Sequence, residues 1–161
     1  MSNLIAIAFD DEQSATKFLD EVGRLKREGL IELDDAATLV RNRDGKAKIK
    51  QASNLVGAGA LGGAFWGMLI GLLFWAPLFG LAVGAAFGAL AGKASDYGID
   101  DKFFKETSAK LQPGSSAIFL LVHNAQVDKV VEDLKQFHGE IIHTSLSNEQ
   151  EAQLKEAFNA A

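Results

Sequence analysis

QASNLVGAGALGGAFWGMLIGLLFWAPLFGLAVGAAFGALAG, residues 51–92, runs for 42 positions without a charged side chain, between Lys50 and Lys93. One helical crossing of a bilayer core takes ~20 apolar residues at ~1.5 Å rise per residue, so this stretch has the length of two. Trp75-Ala76-Pro77 divides it, because Pro77 has no backbone N–H and turns Ala76 away from helical geometry. The pattern predicts two helices, about Asn54–Trp75 and Leu78–Lys93, joined by a tight turn.

Glycine sets how these legs are expected to pack. Gly59, Gly63, Gly67 and Gly71 repeat at every fourth position of the first leg, and Gly80, Gly84, Gly88 and Gly92 do the same in the second. Residues four apart lie nearly above one another on a helix, so each leg carries a groove free of side chains. Such grooves let backbones approach closely in lipid, where hydrophobic drive between helices is weak. A buried hairpin in a soluble domain is the competing reading. Each glycine costs a helix about 1 kcal/mol relative to alanine, and eight in register argue against it. The second leg has about 16 residues, or ~24 Å, against a ~30 Å core, which leaves full crossing and a re-entrant hairpin both open.

The flanks give the orientation. Arg41, Arg43, Lys46, Lys48 and Lys50 precede the first leg and Lys93 follows the second, while the turn at 75–77 is uncharged. The positive-inside rule then places both termini in the cytoplasm. Lys46, Lys48, Lys50 and Lys93 are candidates for contact with anionic lipid headgroups, at ~1 kcal/mol per basic residue near the surface. The bland account of the same lysines is a solvated strand edge.

Neither flanking piece, 1–50 or 94–161, is long enough for an ample core alone, whereas together they approach an ordinary domain. The expected organisation is one domain in two halves, 1–50 and 94–161, around a membrane hairpin at 51–93. The net charge of −5 argues against a nucleic-acid partner. The lack of cysteine excludes disulfides and thiol chemistry. The start, MSNLIAIAFDDEQ, has neither the length nor the basic region of a signal peptide.

Asn3–Phe9 (NLIAIAF) reads as a buried strand. Asp10-Asp11-Glu12 offers acids where a helix begins, and capping is preferred to a cation site there. Ala15, Phe18, Leu19, Val22 and Leu25 keep helical spacing until Gly29. A strand is expected within 31–41, chiefly Ala36–Arg41. Asn42-Arg43-Asp44-Gly45 then forms a hairpin turn, with Ala47–Ile49 returning. Beyond the apolar stretch, Asp100–Leu111 and Val127–Phe137 read as helices, and Ser116–Val122 and Glu140–Ser145 as strands. A last helix is capped by Ser147 with Gln150. This order predicts a ferredoxin-like α+β sandwich with an added terminal helix, interrupted by the two-helix glycine-zipper hairpin.

The paired GxxxG runs, the AFDDEQSA segment (8–15) and SAIFLLV (116–122) resemble a bacterial family of small membrane proteins of unknown function, some of them labelled stress-associated. The resemblance implies a protein of the bacterial inner membrane with no assigned activity.

No enzyme is legible. His123, His138 and His143 lack the helical spacing of metal ligands, no glycine loop has nucleotide-binding form, and Ser14, Ser53, Ser95 and Ser116 show no base partner. No cofactor, metal or small-molecule substrate is implied. The legs contain no ionisable residue, which disfavours a coupled transporter. The expected function is a non-enzymatic membrane protein that self-assembles through its glycine rows, with membrane lipid and further copies of itself as partners. An oligomeric passive channel is the alternative, and a membrane-attached binding module is a third reading.

Overall fold

The computed structural model describes residues 3–51, 107, 109–144 and 146–159. The predicted hairpin helices, the eight glycines and Lys93 lie outside these residues. Among the described residues no helix is long and apolar enough to cross a membrane.

The described chain is an α+β fold: a five-stranded antiparallel sheet in the order β3-β2-β4-β1-β5, with three helices. The strands are β1 (Asn3–Phe9), β2 (Ile31–Arg41), β3 (Ala47–Gln51), β4 (Ser115–Ala125) and β5 (Glu140–Thr144). Helix α1 (Ser14–Arg27) links β1 to β2, α2 (Val127–Leu134) links β4 to β5, and α3 (Asn148–Asn159) follows β5. The two halves interleave. β4, from the second half, separates β1 from β2, and β1, from the first half, separates β4 from β5. Neither half can form this sheet without the other.

The register explains why β1 and β4 are apolar along their whole length. Ile5 pairs with Leu120 and Ile7 with Ile118, and both rows pack with α1, α2 and α3. The alternate row, Leu4, Ala6 and Ala8 against Leu121, Phe119 and Ala117, points to the opposite face and is equally buried. Strands buried on both faces lose the alternation of a half-exposed strand and become continuous apolar runs.

Helix α1 starts later than the acids suggest. Ser14 is its first residue, and the Asp11 side chain accepts the Ser14 N–H (Oδ1, 3.1 Å), so Asp11 serves as the capping group expected of that cluster. The next amide, Ala15 N–H, is held from outside the helix. It donates to the Ser116 hydroxyl on β4 (3.2 Å), and that hydroxyl in turn donates to the Asp11 carbonyl (2.6 Å). Gly29, at φ 76°, ends the helix. Its N–H bonds Lys26 O, and Leu30 N–H bonds Leu25 O, the crossed pattern of a left-handed C-terminal cap.

Three sequence boundaries are corrected. β2 begins at Ile31 rather than Ala36, because β4 extends to Ala125 and supplies partners as far as Ile31. β3 continues to Gln51, paired with Ala37. α2 stops at Leu134, so Phe137 joins the core from the following loop instead of from the helix. There it packs edge-on against Phe18 with ring centroids 4.9 Å apart, while Phe18 also meets Phe9 at 5.6 Å and Phe158 at 6.2 Å. The predicted cap of α3 is present in both directions, Gln150 N–H to Ser147 Oγ (3.3 Å) and Ser147 N–H to Gln150 Oε1 (3.4 Å).

Candidate functional site

The helices do not close completely over the sheet. Between the β1–β4 face and α1, α2 and α3 lies a cavity of about 150 Å³, walled by Ile5, Phe18, Val22, Leu25, Leu120 and Leu134 among others. Its exposed lining residues, His123 and Asn124 near the end of β4, are polar, and Asn3 and Gln150 add half-buried polar groups. Val127 and Val131 of α2 also line it and are half-buried, whereas Val130 and Leu134 of the same helix are buried. The cavity explains that difference, since α2 stands over a gap there.

A double irregularity shapes the polar side. Glu32 pairs with Asn124, Leu33 with Val122 and Asp35 with Leu121, so the register passes over His123 in β4 and Asp34 in β2. The two bulged residues meet, with His123 Nδ1 3.7 Å from Asp34 Oδ2. Bulges bend a strand and re-aim its side chains, and they recur beside functional sites. The shift also keeps Leu33 on the helix face opposite Val122 and turns Asp35 to the other face. Asp35 is fully buried there, and its carboxylate accepts the Ala36 amide (2.9 Å).

The wall between α1 and α2 is joined by charge. Arg24 contacts Glu21 and Glu28 (2.7 Å) on its own helix and reaches Asp133 of α2 (3.3 Å). The hydrogen bonds that it donates to Glu21 and then to Glu28 raise the Arg24 guanidinium further above its ordinary value, so it stays charged at any working pH. Lys135, beside Glu132, is raised in the same sense.

The residues singled out from sequence separate in space. Lys46, Lys48 and Lys50 are all exposed along the β3 edge. Lys48 faces Val40 and Lys50 faces Thr38, so both share the side of the sheet that carries the helices, while Ile49 shares the other side with Leu39. Lysines on an edge strand oppose pairing with another sheet, and they leave a basic margin open to anionic groups. His138 lies apart from His123, with Nδ1 3.3 Å from Phe158 O. His143 pairs with Ala6 in β5. Ser116 is fully buried and its hydroxyl is committed to the α1 start, a structural role. Among the described residues no group of three or more His, Cys, Asp or Glu side chains is placed to hold a metal. The His123–Asp34 pair and the cavity were missed from sequence. Asp34-Asp35 in a strand otherwise rich in apolar residues was the available sign of a bulge.

These features define an α+β protein with an apolar cavity under its helices and a polar bulge at the cavity's exposed side. The chain belongs to the family described as "Protein of unknown function (DUF1269)", whose model matches residues 60–159, more than half its length. Comparison with curated proteins and with solved structures gave no match.

Proposed function

We propose that this protein is a non-enzymatic integral membrane protein of the bacterial inner membrane. In this reading residues 52–93, after the end of β3 at Gln51, form a glycine-zipper hairpin that anchors a ferredoxin-like domain on the cytoplasmic side, and the glycine rows assemble several copies. The interleaved sheet carries the argument. Chain on both sides of the uncharged stretch contributes strands to one sheet, which supports reading that stretch as an insertion into a single domain. A 42-residue uncharged insertion with two four-glycine rows suits lipid and close helix packing. Membrane lipid and further copies of the chain are its partners, with Lys46, Lys48, Lys50 and Lys93 at the headgroups. A part in membrane stress tolerance rests on the family resemblance alone.

Replacing Gly63 or Gly67 with leucine fills the groove and is expected to lower the oligomer mass in detergent, read by light scattering. An unchanged mass would refute assembly through these rows. Ion or dye flux through liposomes containing the protein distinguishes a passive pore, and vesicles that stay tight at full occupancy exclude it.

A further inference from the structure

We propose that the cavity under the helices is a binding site for a small amphiphile, with an apolar part of about six carbons and a head that is neutral or cationic. Size sets the first limit. Ligand pockets for drug-sized molecules run to ~300–1,000 Å³, and this one holds about 150 Å³. An apolar cavity of about 150 Å³ lined by Leu, Ile and Phe stays dry and takes up benzene. Nucleotides and complete lipid chains are therefore too large, and a short alkyl or single aromatic group fits.

Lining sets the second limit. Ile5, Phe18, Val22, Leu25, Leu120 and Leu134 offer the apolar part no hydrogen bond, so any polar group of the ligand must lie at the exposed side. His123, Asn124 and Gln150 supply donors and acceptors there. Among the described residues the lining contains no Ser, Thr, Cys, Tyr or Lys, so the His123–Asp34 pair has no side-chain nucleophile beside it in the cavity.

Charge sets the third. The exposed side is flanked by acids: Asp34 at His123 and Glu32 opposite Asn124. A carboxylate head meets like charge there, whereas an alcohol or ammonium does not. The bulge keeps Asp34 and His123 side by side, so the geometry of the strands builds this preference.

The test is photolabelling of the full chain in lipid nanodiscs with a six-carbon alkyl-diazirine alcohol, mapped by mass spectrometry. The expected result is saturable labelling of peptides covering 18–25 and 127–134. Hexanol and hexylamine should compete, and hexanoate should compete at least about tenfold more weakly, a difference of one logarithmic unit in affinity. Val127→Phe, which places a ring in the cavity, should cut this labelling at least about tenfold while the circular dichroism spectrum is kept. Ala125→Phe, at the end of β4, gives an independent block if Val127→Phe does not fold. Asp34→Asn should narrow the gap between hexylamine and hexanoate. Labelling that fails to saturate, or that persists in a folded blocking variant, overturns the site. Equal competition by hexanoate overturns the assignment of the head.

Discussion

Gly139 stands where the chain passes from α2 into β5, and replacing it with alanine tests the packing of the whole edge. A Cβ at this position would lie 2.5 Å from Ile7 Cγ2 and 2.9 Å from Phe9 Cε1. Both neighbours are buried, Ile7 1% and Phe9 4% exposed, and Phe9 is held in turn by Phe18, so neither is a loose side-chain end that can swing away. Overpacking of a filled core costs about 1–3 kcal/mol. The backbone of Gly139 is not in the left-handed region, so the loss of unfolded-state freedom on adding a methyl returns about 0.4–1 kcal/mol. The net expectation is a destabilisation of about 1–2 kcal/mol. With a urea dependence of about 1–3 kcal/mol/M, the midpoint falls by roughly 0.3–2 M. The assay is urea unfolding of the full chain followed by circular dichroism, wild type and variant side by side in the same detergent. Ile7→Ala removes the atom nearest the clash, so the double variant should be more stable than the sum of the singles by about 1 kcal/mol. Strict additivity, or a Gly139→Ala protein as stable as wild type, would refute the close approach of β5 to β1.

Ser116→Ala removes both bonds that tie β4 to the start of α1, and the loss should be about 1–3 kcal/mol in the same unfolding assay. Ser115→Ala, whose hydroxyl serves the local turn at Gln112 O, should lose less, and equal effects would contradict the capping role. Arg24→Met breaks the link to Asp133, but the two side chains are 38% and 37% exposed. The change should therefore be small and shrink further in 1 M salt. A loss as large as that of Ser116→Ala would show that this cluster is a structural pin rather than a surface network.

The local elements were largely legible in sequence because each announces itself over a few residues. Helical spacing from Ala15 to Leu25, a left-handed glycine at 29, Asn42–Gly45 between two strands and the Ser147–Gln150 box all depend on neighbours close along the chain. The boundaries that moved, at Ile31, Gln51 and Leu134, depend on how far a distant strand or helix continues to offer partners. The candidate site was less legible for the same reason. Val127 and Val131 look like core positions on a helical wheel, and only the stand-off of α2 from the sheet turns them into the wall of a cavity.

Taken alone, the sequence determined the order and type of the described strands and helices, the uncharged character of residues 51–92, and the lack of cysteine. Periodicity, composition and capping are properties of a chain segment and can be read without its surroundings. The tertiary structure decided that the two halves share one sheet by alternating strands, that β1 and β4 are buried on both faces, and that opposed bulges bring His123 to Asp34. Those outcomes rest on pairings between residues about seventy-five to one hundred and forty positions apart, such as Ile5 with Leu120 and Ile5 with Thr144. Their energy depends on register across the sheet, which no segment carries within itself.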